Sequence, residues 1–388
     1  MPPSAAGKQP GSPSMEITIQ KSDLLKELSV TQGIVERKST VPILGSFLFE
    51  ATGNELLITA TDLDLSLRTF CVAKVIKPGA CTIPARKLYE YTRLLRDGEI
   101  TIKLLENHWV QIRSGRSNTK MVGMARDHFP SLPLFPAQSA IQLPARILQT
   151  MISRTIFAIS QEESRYTLNG ALLLIKPGSI TMVATDGHRL AHIETTDSKV
   201  DVKEEISVLV PRKALAEINA LLNSSGVDAI GFAKDSSTLF FTIGTRLLTS
   251  RQLTGTFPNY EAVLPRHLNK SVEVPADQLS QAVQRVSQFS DERSNAVRLR
   301  MENNQLRISS SSAETGESED SIDTSYGGDP LVIGFSSRYL LEFLRVAGGG
   351  NVRFRFKATD AVGEFRTDQG SREDRDYNYR YIVMPVRS

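Results

Sequence analysis

The chain has 388 residues, 40% hydrophobic and 23% charged, enough for two to four domains that each bury a core. It has no run of about 18 apolar residues and so no helical membrane span. Cys71 and Cys81, with no CxxC spacing and no paired histidines, read as free thiols of a reducing compartment rather than a metal site or disulfide framework. The formal charge of +3 and pI of about 8.7 are too mild to diagnose nucleic-acid binding alone.

Residues 1–14 are rich in Pro, Ser, Gly and Ala and have no apolar core, so they are expected to be a disordered extension, with Met15 as the natural start. From there three segments share one plan. The first has a helix over 21–35, capped by Ser22 or Asp23, with Leu24, Leu25, Leu28 and Thr31/Gln32 on one face. Strands at 47–51 and 56–60 follow, then a helix from Pro84 to Arg96 that ends at Asp97-Gly98. The second has a helix over 144–160, apolar at Ile147, Leu148, Met151, Ile152, Ile156 and Ile159. Its strands at 171–175 and 180–184 precede a helix from Pro211 to Leu222. The third has a helix over 275–290 (Leu279, Ala282, Val283, Val286, Phe289), strands at 297–301 and 305–309, and a helix over 336–347.

Spacing sets the period. Ala60-Thr61-Asp62 recurs as Ala184-Thr185-Asp186, 124 residues on, the second copy entering an Asp-Gly hairpin turn. Leu88, Leu215 and Leu340 of the second helices lie 127 and 125 residues apart. A period this long means duplicated whole domains rather than a solenoid. The expected fold is α+β, with copies at 15–137, 138–264 and 265–388.

Over the six helices, the first counted through Lys38, bases outnumber acids 15 to 7, so the rest of this +3 chain sums to −5. A polyanion held through its phosphates needs Lys and Arg on one surface and no base-reading geometry. A solvated helix face accounts for the same pattern equally well.

Few groups look catalytic. His188 and His192 would share a metal only on a helix, and the Asp-Gly turn argues for a hairpin, where they lie roughly 13 Å apart. Asp62 and Asp64 form a DxD pair expected on one face of a strand edge. No GxSxG, P-loop, HExxH or GxGxxG occurs. A metal-dependent nucleic-acid enzyme built on His188, His192, Asp62 and Asp64 is the alternative; otherwise neither an enzyme, a metal nor a cofactor is expected. Residues 309–320, with five Ser and four acids, read as a mobile loop. The C-terminus is apolar to its end: 381–383 reads as a last strand, and Met384-Pro385-Val386 would expose adaptable surface for peptide ligands.

From about Met15 to Arg387 the chain resembles the bacterial DNA polymerase III beta subunit family, the sliding clamps. The residues that carry the likeness are Pro42-Ile43-Leu44-Gly45, Ala60-Thr61-Asp62, Pro84-Ala85-Arg86-Lys87 and Arg113-Ser114-Gly115-Arg116-Ser117. They continue with Phe129-Pro130, Arg165-Tyr166, Leu168-Asn169-Gly170, Ala184 to Ala191 and Val210-Pro211-Arg212-Lys213. Phe257-Pro258-Asn259-Tyr260, Val263-Leu264-Pro265 and Met384-Pro385 complete them.

The resemblance implies three clamp domains and a head-to-tail homodimeric ring with helices lining the pore. Such a ring encircles double-stranded DNA in the cytoplasm, at the nucleoid. It implies partners bound through short linear peptides: the DNA polymerase III alpha subunit, the clamp loader, other polymerases and repair proteins. Their groove would comprise Leu168, Thr185, Gly187, His188, Arg189, Leu190, Pro258, Val263, Val383, Met384, Pro385 and Val386, with Arg387 at its rim. Lys38, Arg86, Tyr166, Arg212 and Lys213 would face DNA. Thr119 and Met121 would meet Gln288 and Phe289 across the dimer seam.

Overall fold

The structure, a computed structural model, describes residues 14–35, 40–195, 198–367 and 376–386. Lys38 and Arg387, both singled out above, lie outside these residues. The chain divides into two compact units, 1–140 with 220–251, and 141–219 with 252–388.

Six α-helices are described: α1 (Lys21–Thr31), α2 (Ala85–Leu94), α3 (Ala145–Thr155), α4 (Arg212–Ser225), α5 (Ala276–Ser287) and α6 (Ser337–Ala347). Each of α2 to α5 begins directly after a strand whose last residue is proline: Pro84, Pro144, Pro211 and Pro275. Proline has no N–H to continue a ladder, and its φ is already that of a helix, so it ends the strand where the helix starts.

The ends differ from the sequence expectation. α1 starts at Lys21, with Gln20 at its N-cap and no side-chain cap, so Ser22 and Asp23 fall inside its first turn. Asp23 acts there through the helix dipole instead. The helix stops at Thr31, α2 stops short of Arg96, and α3 gives way to a 3-10 turn at Ile156–Ala158. Phe289 lies beyond α5, in a turn where its N–H donates to Val286 O at 3.1 Å.

Two sheets lie in the first unit. One runs Lys74–Lys77, Glu16–Gln20, Glu99–Leu104, Trp109–Ser114, Ser117–Val122. The other passes from Ala229–Lys234 through Thr238–Ile243, Arg246–Arg251, Leu65–Val72, Glu55–Thr61 and Ser46–Thr52 to Gly79–Pro84. In the second unit a long sheet runs Ile206–Pro211, Gly170–Lys176, Ser179–Thr185, Arg189–Thr195, Tyr377–Val383, Gly363–Thr367, Asn351–Phe356, Lys270–Pro275. A shorter one runs Gly316–Asp323, Gln305–Ser312, Ala296–Glu302, Leu331–Ser336.

Residues 309–320 are therefore not a loop. They form an antiparallel hairpin in which Ser309 faces Glu319 and Ser311 faces Glu317. Serines suit an edge strand with one solvated face, and alternation buries Ile308, Ser310 and Ile322. Ser310 Oγ donates to Val286 O of α5 at 2.5 Å, and Arg285 holds Asp320. Composition hid the hairpin because the contacts that anchor it to the fold come from another element, α5. Asp62 and Asp64 likewise sit in a turn, where Asp62 Oδ1 accepts the N–H of Asp64 and of Leu65.

Both long sheets continue from one repeat into the next. In the first, Leu247 pairs with Arg68 and Ser250 with Leu65. Beside this pairing Arg246 is buried against Glu27 of α1, with Nε and Nη2 each 2.9 Å from a carboxylate oxygen, and Thr69 Oγ1 completes the carboxylate's bonding. Both side chains are under 9% exposed.

Removing one member of a buried pair strands the other charge, so Glu27→Ala should lower unfolding free energy by about 3–5 kcal/mol in denaturant melts. The double change Glu27→Met with Arg246→Met should cost far less; equal losses in both proteins would show that the pair does not act as a unit.

Candidate functional site

The site grows from the turn between Ser179–Thr185 and Arg189–Thr195 in the second unit. Thr185 Oγ1 donates to Arg189 O at 2.6 Å and accepts from Gly187 N at 3.1 Å. Asp186 Oδ1 accepts from His188 N at 2.9 Å and Arg189 N at 3.1 Å. Position 187 favours glycine because its φ is +88°.

Arg189 leaves the turn inward, and its guanidinium is almost wholly buried. Nε donates to Asp186 Oδ2 at 3.1 Å, Nη2 to Phe157 O at 2.6 Å, and Nη1 to Glu342 of α6 and to Tyr381 OH at 3.4 Å. The Tyr339 ring lies 4.4 Å beneath it. Burial alone would lower its pKa, but Tyr381 and Glu342 outweigh that and raise it, so the cation persists. The arginine thus ties the turn to α6 and to the last strand.

The strand pairing Leu190 with Ile382 and Arg189 with Val383 puts the C-terminal strand beside the turn. Tyr381 stacks on Phe343 of α6 at 5.0 Å, so by alternation Ile382 faces away from the helices. On that face Leu172, Val183, Leu190, Leu209 and Ile382 form a buried cluster, covered by Leu253, Phe257, Tyr260, Val263 and Leu264 from the segment joining two repeats. Charge pins that segment. Arg380 Nη2 donates to Pro265 O at 2.9 Å and Arg355 Nη2 to Leu268 O at 3.3 Å. Both arginines, with Arg366, also bond the fully buried carboxylate of Glu364 at 2.7–2.8 Å. Burial alone would raise the Glu364 pKa; the bonds and charges of Arg366 and Arg380 prevail and lower it.

Between turn, joining segment and last strand lies a cavity of about 110 Å³. Leu168, Thr185, Gly187, His188, Arg189, Leu190, Pro258, Val263 and Met384 line it, together with Tyr260 and Ile382. Val383 does not: it is fully buried on the opposite face, and Ile382 takes the lining position. Met384 is 39% exposed and continues the ladder through its N–H to His188 O at 2.9 Å. Pro385 and Val386 are half-buried beyond the cavity, where Val386 N donates to Gly334 O at 2.8 Å.

The other sequence-derived residues fall elsewhere. Tyr166, 49% exposed, lies in a 3-10 turn whose following residue, Asn169, accepts the Arg212 N–H at 3.0 Å. Tyr166, Arg212 and the exposed Lys213 are thereby brought together. Arg86 belongs to the first unit and is exposed at the start of α2, bonded to Glu90 at 2.8 Å. Thr119 and Met121 are half-buried on the edge strand Ser117–Val122; Gln288 is exposed and Phe289 half-buried after α5. His188 is exposed in the turn and His192 buried within its strand, and among the described residues no group of three or more His, Cys, Asp or Glu could hold a metal. Nor is any described helix long and apolar enough to cross a membrane.

Known proteins match the chain along its length. The profile of the DNA polymerase III beta subunit N-terminal domain matches residues 15–133, that of the central domain 142–259 and that of the C-terminal domain 261–387. The chain is 33% identical over 378 residues to the beta sliding clamp of Pseudomonas aeruginosa, covering 96% of this chain and 100% of that one. The chain belongs to the DNA polymerase III beta subunit family. The beta sliding clamp of Escherichia coli K12 is 32% identical, with the same coverage. A crystal structure of the P. aeruginosa DnaN sliding clamp bound to griselimycin matches with a TM-score of 0.89 at 34% identity, covering 97% of this chain and 100% of that one. The Bacillus subtilis clamp matches with a TM-score of 0.89 at 26% identity, covering 96% and 99%. The function is that of a DNA sliding clamp, a replication processivity factor and not an enzyme.

In this beta subunit, sequence reasoning missed Tyr260, His192 and Glu364 as parts of one wall. Phe257-Pro258-Asn259-Tyr260 marked the segment but not the ring beneath it: the Tyr260 and His192 rings lie 5.6 Å apart. Burial, then the Arg380 and Arg366 charges, depress the His192 pKa from 6.5 to about 4. The unfolded chain therefore binds a proton that the folded clamp refuses between pH 6.5 and about 4, and stability must fall as pH drops through that window. The loss should approach about 3 kcal/mol by pH 4. Urea melts at pH 7.5 and 5 should show it, and His192→Phe should flatten it; an unaltered slope in the variant would place the effect elsewhere.

Proposed function

We propose that the chain works as a homodimeric ring that encircles duplex DNA without reading its sequence and holds the replicative polymerase to it. The observation that carries this is the cavity, whose apolar walls suit a short linear motif ending in Leu and Phe, framed by His188 and Arg189. The polymerase III alpha subunit, the clamp loader, other polymerases and repair proteins would take turns there, with Arg387 at the rim beside Val383, Met384, Pro385 and Val386. The domains run 15–137, 138–264 and 265–388, with 1–14 outside them, and the ring acts in the cytoplasm at the nucleoid.

The helices would face DNA through Lys38, Arg86, Tyr166, Arg212 and Lys213. The seam would join Thr119 and Met121 to the partner's Gln288 and Phe289. Edge chemistry supports it: among the described residues Ser117–Val122 and Gly316–Asp323 are both edge strands. The first carries Lys120 and adjoins Arg113 and Arg116, while the second carries Glu317, Glu319, Asp320 and Asp323. Two such edges attract each other and repel their own kind.

Met384→Ala should weaken a peptide ending in Leu-Phe at least about tenfold in calorimetry while sedimentation still shows a dimer. Unchanged affinity would move the groove elsewhere, and a strict monomer at micromolar concentration would remove the ring. On a nicked DNA circle the protein should be retained after loading and should be lost when the same circle is linearised; equal loss from both would mean that it does not encircle the duplex.

A further inference from the structure

The smaller sheet of the first unit has one apolar face and one polar face. Ile17, Ile19, Ile100, Ile102, Val110 and Ile112 point to its buried side. By alternation the residues between them point outward, and the strand pairings set these in rows across the sheet. One row runs Lys77, Glu16, Lys103, Gln111, Lys120, and the next runs Lys74, Thr18, Thr101, Arg113, Asn118. All but Gln111 are exposed or half-buried; Gln111 Nε2 donates to Asn118 Oδ1 at 2.8 Å. Trp109, the only tryptophan of the chain, lies on the same face, paired with Val122 across the ladder. It is 40% exposed and borders an open hollow of about 890 Å³ with Leu105, Asn107 and Lys120. A ring of this size stabilises a fold most when it is buried, and here much of it is left in water.

Bases are in excess on this face. Lys74, Lys77, Lys103, Arg113 and Lys120, with Arg116 in the adjoining turn, stand against Glu16, Glu99 and Glu106. That excess of three equals the formal charge of the whole chain. Lysines guard the outermost strands of a sheet, which accounts for Lys74, Lys77 and Lys120 among the described residues. It does not account for Lys103 and Arg113, which stand on interior strands. Lys103 Nζ lies 3.1 Å from Glu16, but its side chain is 44% exposed, so the pair contributes little to stability. Lys120 is on the edge proposed for the seam, where the partner's acids would share its charge.

A polyanion answers the charge, and a flat ring answers the tryptophan. Single-stranded nucleic acid offers both, because its phosphates lie beside bases that are free to stack on an aromatic side chain. A duplex keeps its bases within its own stack, and an acidic peptide would leave the tryptophan idle. We propose that this face is a binding site for single-stranded nucleic acid, in which Trp109 stacks on a base while Lys74, Lys77, Lys103 and Arg113 hold neighbouring phosphates. The site depends on neither the peptide groove nor the ring, and it is separate from the residues proposed to face duplex DNA. For a processivity factor it supplies a hold on the unpaired strand that adjoins the duplex at a primer end.

With one tryptophan in the chain, intrinsic emission reports on this face alone. Full-length protein at low salt, titrated with a short oligothymidylate, should lose Trp109 emission and gain protection from acrylamide. The same strand annealed to its complement should do neither. Four phosphate contacts give a slope of about −3 for log affinity against log salt, and Lys103→Gln or Arg113→Gln should each take about 0.7 from it. Trp109→Leu, followed through the anisotropy of a labelled oligothymidylate, should weaken binding at least about fivefold. Unchanged emission at low salt overturns the proposal. Equal quenching by the duplex or by polyglutamate overturns it too, since the face would then take any polyanion. Equal affinity in Trp109→Leu would place the strand elsewhere and has the same force. The three side chains lie on the solvent side of the sheet, so each variant should keep the wild-type unfolding midpoint. If Trp109→Leu lowers it, the slopes of Lys103→Gln and Arg113→Gln decide, and slopes equal to wild type overturn the proposal on their own.

Discussion

A strand of one repeat pairs with a strand of the next, and beside each pairing a buried arginine has to be satisfied. At the first junction it is Arg246, bound at both ends of its fork by Glu27 of α1. At the second it is Arg189, shared among Asp186, Glu342 of α6, the Phe157 carbonyl and Tyr381. A guanidinium removed from water costs several kcal/mol unless its donors find acceptors in the right geometry. Each arginine therefore couples a junction strand to a helix that is distant in sequence: α1 lies over 200 residues before Arg246, and α6 over 150 after Arg189. Sliding one repeat against the next would break these bonds, so each junction holds one register.

The proposed peptide groove inherits that rigidity. Its turn is closed by Thr185 and Asp186, its floor is a sheet whose face alternation is fixed, and its far wall is a segment held by Arg380 and Arg355. Glu364 makes the last of these possible. Three arginines around one buried carboxylate would repel one another without it, and with it two of them are left with donors aimed at backbone carbonyls of the joining segment. A wall set before the ligand arrives spares the ordering cost that a mobile wall would impose on binding.

Much of this was legible in the residues, and the reason lies in periodicity. Leu24, Leu28, Leu148, Met151, Leu279 and Val283 fall at helical spacing and are buried because a helix has one inward face. The Thr-Asp-Gly turn is visible because its bonds are local, within five residues. What escaped were interactions between distant segments. Glu27 sits on the buried face of α1 and looks like a pattern error until Arg246 is beside it. Ser309 to Asp320 looked like a loop because Ser and acidic side chains solvate one face of an edge strand, while its paired face shows in sequence only as Ile308, Ser310 and Ile322. Ile382, not Val383, lines the cavity, and one residue of register along a strand decides that choice.

Two surfaces of this clamp face opposite demands. The proposed groove would have to hold a partner, and its mostly apolar lining suits a defined, largely dry contact. The helices of the proposed ring must let DNA pass, and what they offer is suited to that: Arg86 is exposed and already shares its charge with Glu90, and Lys213 is exposed as well. Phosphate contacts of this sort are individually weak, independent of base sequence and screened by salt. A freely dissociating protein with so few of them would leave the duplex. A closed ring removes that requirement, because escape is prevented by topology and not by affinity. Its phosphate contacts can then stay weak enough for movement, while the tethered polymerase remains at high effective concentration near the primer end. Strength at the junctions and in the proposed groove, with weakness along the inner helices, would then be a single physical solution: the buried arginines stiffen each chain and the seam closes the proposed ring, so the DNA contacts need not hold it.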